Sequence, residues 1–201
     1  EHWVDPTEQG DYFEHVQPTA VGYLVWSHFP VTVSLSPHCS TRWVTAVHQA
    51  LQEWTTYLPL VRSNASEVAD VTIECRTPPL QVNGEILRAR SAETRYQIFP
   101  QSIEGKSILG HRFTILLRPD QTDDYIQAAA RHELGHALGI WGHSPLETDA
   151  LYFSQVRRSP PISVRDINTL KRVYEQPTQL GWAIGDPLLH PSIGRSDKST
   201  G

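Results

Sequence analysis

Apolar and polar positions alternate over Val31-Thr32-Val33-Ser34-Leu35, the two-residue period of a strand with one buried face. The period then changes. Trp43, Val44, Val47, Leu51, Trp54 and Leu58 recur at three- and four-residue intervals, which predicts a helix with a single apolar stripe, capped by Ser40 or Thr41. Leu60-Val61-Arg62 predicts a short strand, and residues 68–75 another with Val71, Ile73 and Cys75 on one face. The order strand, helix, strand predicts a right-handed crossover and parallel pairing.

Thr77-Pro78-Pro79 interrupts this pattern; residues 82–84 predict a turn and residues 101–110 a loop. Between them, residues 88–99 contain the alternating run Thr94-Arg95-Tyr96-Gln97-Ile98-Phe99. Residues 112–118 predict a further strand with Phe113, Ile115 and Leu117 on one face, ended by Pro119. Thr122 can cap the next helix, with Asp123 and Asp124 in the first turn, where the helix dipole favours acids. That helix is expected over residues 125–138, with Ala128, Ala129 and Ala130 letting it approach the sheet closely. Ser163 can cap a last helix bearing Ile167, Leu170 and Val173.

Both ends lack periodicity. Residues 1–29 predict an irregular wrap containing Trp3, Tyr12, Phe13, Tyr23, Trp26 and Phe29. Residues 30–180 form the domain, and residues 181–201 an extension in which Trp182, Ile184, Leu188 and Leu189 suggest partial docking before a disordered tail. The fold class expected is α/β.

Composition narrows the function classes. At 39% hydrophobic and 19% charged, the 201 residues suit one soluble domain able to bury a core. No apolar stretch is long enough to span a membrane. A net charge of -5, with 17 Lys and Arg in no cluster, argues against a nucleic-acid partner. Asn64-Ala65-Ser66 fits the N-glycosylation acceptor pattern and otherwise predicts a polar loop. The absence of methionine and of a signal-peptide pattern predicts a processed or trimmed form whose export signal lies outside this sequence. Cys39 and Cys75 are too few for a disulfide framework and are not spaced like a zinc ribbon, so two thiols and one bridge both stand open on the residues alone.

The chemistry concentrates in His132-Glu133-Leu134-Gly135-His136-Ala137-Leu138-Gly139-Ile140-Trp141-Gly142-His143-Ser144. Two histidines four residues apart project from one helical face one turn apart, the spacing that lets two imidazoles hold one zinc ion. Gly139 can end the helix in a left-handed cap and turn the chain beneath the metal, delivering His143 as the third ligand. Three protein ligands leave one position for water, and Glu133 is placed to take its proton. His48 and His111 are expected to be surface or structural residues.

This run resembles the metzincin zinc peptidases, whose pattern is H-E-x-x-H-x-x-G-x-x-H, and His143-Ser144 looks most like the matrixin branch. Here the third histidine comes one residue late, with Gly142 in its usual place. The extra residue is expected to be absorbed as a bulge whose unusual backbone angles Gly142 accommodates. Ala150-Leu151-Tyr152-Phe153 stands where matrixins carry a turn with a methionine under the zinc, so Leu151 takes the methionine's place as an apolar floor, followed by Tyr152. Leu for Met conserves volume and typically costs less than about 1.5 kcal/mol.

The resemblance implies a mixed, mostly parallel twisted sheet with a backing helix, an active-site helix and a C-terminal helix. It also implies a cleft bordered by an antiparallel edge strand at residues 88–99, Tyr96 included, on which a peptide or protein substrate lies as an added strand. Phe153, Ser154 and Gln155 would line the pocket for the side chain after the scissile bond. The ends of the two cysteine-bearing strands are neighbours in the metzincin sheet, which implies a Cys39–Cys75 disulfide and an oxidising, extracytoplasmic setting. Asp166 matches one acid of the usual C-terminal helix and is expected to support the scaffold. The matrixin latency cysteine is absent, leaving Asp5 and Asp11 as upstream acids able to block the metal.

The expected activity is that of a monomeric zinc endopeptidase, with Zn2+ on His132, His136 and His143 and with Glu133 as the general base. Two alternatives stand beside it: a catalytically silenced, zinc-stabilised binding module on the same scaffold, and a hydrolase in which Asp149 or Glu147 replaces His143 as ligand.

Overall fold

The computed structural model describes residues 5, 7–63, 68–83, 86–88, 90–103, 105–154, 156 and 158–184. Trp3, the acceptor pattern at 64–66, Gln155, Leu188, Leu189 and the expected tail lie outside the described residues. In β1 (Val31–Leu35) the alternating Val31, Val33 and Leu35 are buried as the pattern predicts, but Ser34 on the other face is buried as well, its hydroxyl donating to Thr72 Oγ1 at 3.2 Å. Helix α1 (Thr41–Thr55) follows, started by Ser40, whose hydroxyl accepts from the Trp43 N–H. It turns Trp43, Val47, Leu51 and Trp54 inward. Fully burying a large apolar side chain contributes on the order of 1.5–3 kcal/mol before entropic costs. The chain then returns to β2 (Leu60–Arg62) on one side of β1 and to β3 (Val71–Glu74) on the other, both parallel to it.

Two hairpins replace the turn and the loop expected next. β4 (Gln81–Asn83) pairs antiparallel with β5 (Ile86–Arg88), so residues 82 and 83 belong to a strand rather than a turn. β6 (Ala92–Ile103) pairs with β7 (Lys106–Leu117) from Ala92 opposite Leu117 to Ile103 opposite Lys106. The loop expected at 101–110 is therefore the tip of a long hairpin. Gly105, at φ 77°, supplies the left-handed residue that a two-residue connection requires. Positions at the tip are exposed or only partly buried, with Ile103 48% exposed. Neither face there needs a continuous apolar set, so the two-residue period is missing from the sequence although main-chain pairing persists.

The sheet runs β2-β1-β3-β7-β6, with β7 parallel to β3 and β6 antiparallel at the edge. Helix α2 (Asp123–Ala137) packs against α1, β6 and β7. Helix α3 (Val164–Tyr174) opens with a capping box in which the Ser163 hydroxyl and the Asp166 carboxylate satisfy each other's backbone N–H groups. This is the mixed, mostly parallel α/β arrangement expected of a metzincin-like domain. Cys39, just beyond β1, is bonded to Cys75, just beyond β3, across a Cα separation of 5.9 Å, closing the two open alternatives in favour of a bridge.

Two buried indoles fix α2. The Trp54 N–H donates to the Arg131 carbonyl and the Trp26 N–H to the Ala137 carbonyl, each at 2.9 Å; the second partner is one of the orphan acceptors in the last turn of the helix. The N-terminal segment wraps onto α3. The Tyr12 N–H donates to Thr169 Oγ1 at 3.0 Å and its hydroxyl donates to Asp166. At the other end, residues 181–184 pair with the start of β7 through Gly181, Trp182 and Ile184. Among the described residues no helix is long and apolar enough to cross a membrane.

Candidate metal centre

The end of α2 is built by its glycine. Gly139 has φ 131°, the Gly139 N–H donates to the His136 carbonyl, and the Ile140 N–H donates to the Gly135 carbonyl. These two bonds make a Schellman cap, which stops the helix and reverses the chain. The Tyr174 hydroxyl takes a further end carbonyl, that of Leu138, at 2.9 Å. The returning chain brings the His143 ring centroid to 5.2 Å from that of His132 and 4.8 Å from that of His136.

The donor nitrogens converge. The Nε2 atoms of His132 and His136 are 3.1 Å apart, and one nitrogen from each of the three rings lies within 4.8 Å of the others. Ligands of a tetrahedral zinc, at bonds of 2.0–2.1 Å, sit about 3.3 Å from one another, so the three histidines could hold one metal ion. Among the described residues neither Asp149 nor Glu147 joins the group. Asp149 is buried, and its Oδ2 accepts from the Ser144 hydroxyl and from Arg165 Nε at 3.1 Å.

The tautomers follow from the backbone. His132 Nδ1 lies 2.9 Å from the Ala150 carbonyl oxygen and His136 Nδ1 lies 2.7 Å from that of Ile140. A carbonyl only accepts, so each Nδ1 carries a proton, and in a neutral ring Nε2 is then the atom that offers a lone pair to the centre. Burial, then the neighbouring His132 and His143 rings, push His136 well below the usual imidazole pKa. Burial, followed by His132 and Arg90, lowers His143 to about 4. Neutral imidazole is the form that binds a metal.

Below the rings, the turn is tied from three sides. The Tyr152 N–H donates to the Asp149 carbonyl, the Ser144 N–H donates to the Leu151 carbonyl, and the N–H groups of Ala150 and Leu151 donate to the Asp166 carboxylate. Leu151 is fully buried and lies against Gly135, between His132 and His136 on α2. Tyr152 forms a parallel bridge with Ser144.

The additional residue is accommodated differently from the expectation. Gly142 is not in the left-handed region; instead it forms an antiparallel bridge with Val16, and the Gln17 N–H donates to the Trp141 carbonyl at 2.9 Å. A β-carbon at Gly142 would collide with the His15 carbonyl oxygen. The lengthened connection, turned locally by the Trp141 N–H donating to the Gly139 carbonyl and the Gly142 N–H to that of Ile140, is thus held against the N-terminal segment, and glycine is needed there for close approach rather than for dihedral freedom.

Glu133 is 9% exposed, and its Oε2 accepts from the Thr94 hydroxyl at 2.6 Å. Burial raises its pKa above the usual carboxylate range, opposed in part by His132, Thr94 and Arg90. The carboxylate and the three rings stand on the floor of a cleft of about 840 Å³. One wall is the start of β6. The other holds Phe153, Ser154, Val156 and Pro160, while Tyr152 also borders the space.

Tyr96 stands behind the wall: its ring packs edge-on against Trp141 at 5.0 Å, and it is Trp141 that lines the cleft. Of the three alanines expected to approach the sheet, Ala130 is fully buried, whereas Ala128 and Ala129 widen the cleft. Asp5 and Asp11 do not block the centre. Asp5 accepts from Thr7 and Asn168, and Asp11 from Arg172 of α3. His48 is exposed, and His111 is buried against Trp26 at 4.0 Å.

Thr94 and Arg131 carry parts of this site that the sequence did not single out. Arg131 is buried, pairs with Glu53 of α1, and donates to Ser159 Oγ and the Pro160 carbonyl at 3.1 and 2.9 Å, so it anchors the far wall from inside α2. The available signal was a charged residue beside His132 that shares a helical face with Gln127, which donates to the same Glu53. For Thr94 it was the alternation of β6, which places a small hydroxyl two residues before Tyr96 on the helix-facing side.

No family model matches the sequence, and no curated protein matches it. Among solved structures the chain is similar to the crystal structure of myroilysin, with a TM-score of 0.43 and 12% identity, over 86% of this chain and 97% of that one.

Proposed function

We propose that the chain is a zinc-dependent endopeptidase. The observation that carries this reading is the convergence of three imidazoles beside a buried carboxylate on the floor of an open cleft. An all-imidazole donor set suits zinc rather than magnesium or calcium, which take oxygen ligands. When bound, such an ion supplies a Lewis acid for the scissile carbonyl and brings the ionisation of water near neutral pH.

The protein does the rest. Glu133 accepts the proton of the attacking water and passes it to the leaving amine. Its burial strengthens its hold on that proton, and the Thr94 hydroxyl ties down Oε2, leaving the other oxygen to face the water. β6 is the last strand of the sheet, so its outer main-chain groups can bind an extended peptide as an added strand. Phe153 and Ser154 would meet the side chain after the scissile bond, with Tyr96 supporting Trp141 from behind. The disulfide suits an oxidising, extracytoplasmic compartment.

The test is the Glu133→Ala variant, assayed for bound zinc and for cleavage of an unfolded protein. The expected result is one zinc per chain with cleavage lost, and loss of wild-type cleavage on chelation. Undiminished cleavage by Glu133→Ala would refute the role. A wild-type chain that binds zinc yet leaves unfolded protein intact would instead be a zinc-stabilised binding module.

A further inference from the structure

Among the described residues that line the cleft, Arg90 is the one Lys or Arg. The acids around it are engaged or assigned. Glu93 is held by Arg95 through two bonds of 2.9 and 3.2 Å. Asp149 is held by Ser144 and Arg165. Glu133 belongs to the reaction, and Asp124 lies in the first turn of α2, where the helix dipole favours it. Arg90 has no ion-pair partner within 4.0 Å among the described residues. It is exposed and borders the same cleft as Glu133 and His143.

Its position along the edge strand adds a direction. Thr94 marks the reacting carboxylate, and Arg90 precedes it by four residues, or about 13 Å of extended chain. The backbone there is fixed, since the Arg118 N–H donates to the Ser91 carbonyl at 3.0 Å. A peptide added antiparallel to β6, the commoner pairing, runs from the Ile103 end toward the Ala92 end. Four residues of extended chain face about four of the peptide, so the Arg90 backbone stands beside the fourth residue after the scissile bond, and an arginine side chain, about two residues of strand in length, can reach the second or third.

We infer that Arg90 is a carboxylate-binding residue of the cleft, selecting peptides that carry a carboxylate two or three residues after the scissile bond. This rests on the peptidase reading and adds the substrate class. Guanidinium presents forked donors that match a carboxylate, whether from an acidic side chain or from the free C-terminus of a short peptide.

The experiment compares paired peptides with Glu or Gln two and three residues after the cleaved bond, each with a free or an amidated C-terminus. They are tested on the zinc-loaded wild type and on Arg90→Gln. The wild type is expected to cleave the Glu peptides with kcat/KM about fivefold above the Gln peptides, the size of a partly exposed ion pair. That ratio should shrink as salt rises and fall to about one in Arg90→Gln. A preference confined to free C-termini assigns the terminal carboxylate as the ligand; a preference that survives amidation assigns the side chain.

A binding arm uses zinc-loaded Glu133→Ala, with and without Arg90→Gln, and reads the same peptide pairs by calorimetry. Cleavage or binding without a Glu over Gln or free over amidated preference, or a preference that persists in Arg90→Gln, overturns the role of Arg90 and leaves the peptidase reading standing. Peptides neither cleaved nor bound overturn both.

Discussion

Gly135 and Leu151 occupy the same space in turn: a β-carbon on Gly135 would stand 2.6 Å from Leu151 Cδ2 and 3.0 Å from Cδ1. Leu151 is fully buried, so its methyl groups have nowhere to go. The floor beneath the three histidines therefore fits α2 only because the residue before His136 has no side chain.

Inside an ordinary helix, glycine to alanine gains about 1 kcal/mol. Here Gly135→Ala should instead cost about 1–3 kcal/mol from overpacking, read as a lower midpoint in denaturant unfolding. Leu151→Ala alone should cost about 2–5 kcal/mol through its cavity. The double variant should cost less than the sum, because each change relieves the other. Additive costs would show that the two residues do not share this contact.

Thr94 holds Oε2 of Glu133 across 39 residues of chain. Thr94→Val keeps the shape of the side chain and removes the donor. Expected are an unchanged zinc content and a kcat about tenfold lower, the size of a lost orienting hydrogen bond. A fall in zinc content that accounts for the lost rate would assign Thr94 to the stability of the site instead.

His111 is buried with its Nε2 unpartnered, and burial lowers its pKa from 6.5 to about 4, opposed by Asp70 and reinforced by His28. With the folded value depressed, the unfolded chain takes up the proton first as pH falls. The contribution is therefore intact above about 6.5 and drains away as pH falls toward 4. Between pH 7 and pH 5 it amounts to about 2 kcal/mol. His111→Phe, which retains a ring to stack on Trp26, should lose less stability over that interval than the wild type. Equal losses would place the acid sensitivity in other groups, the ligand histidines included.

The Cys39–Cys75 bond closes a loop with a sequence separation of 36. In the chain-entropy model a loop of that length stabilises the fold by about 4 kcal/mol. The Cys39→Ala/Cys75→Ala variant should melt well below the oxidised wild type, and reductant should lower the wild-type midpoint while leaving the variant unmoved. Reductant that shifts both equally would mean the bond is not what it acts on.

The elements easiest to read in advance were those whose cause is local. Three- and four-residue spacing placed α1 and the apolar face of α3. The glycine three residues after His136 predicted the cap that reverses the chain, and the histidine triplet follows from helical spacing plus that reversal. The β6–β7 hairpin escaped because its tip lies beyond the buried part of the sheet, where pairing persists without an apolar pattern to announce it. Gly142 serves a close approach rather than the unusual angles expected of it, since a sequence shows glycine's freedom but not what approaches it.

By itself the sequence determined which side chains share a helical face, where α2 stops and which histidine follows. Dihedral preference and hydrophobic period act over three or four residues and are written in the order of the chain. Only the tertiary structure decided that Thr94 holds Glu133, that Val16 meets Gly142, that Arg131 secures the far wall and that Tyr96 backs Trp141. Those partners are separated by many residues, and packing selects them by volume, hydrogen-bond satisfaction and burial, none of which a local pattern contains.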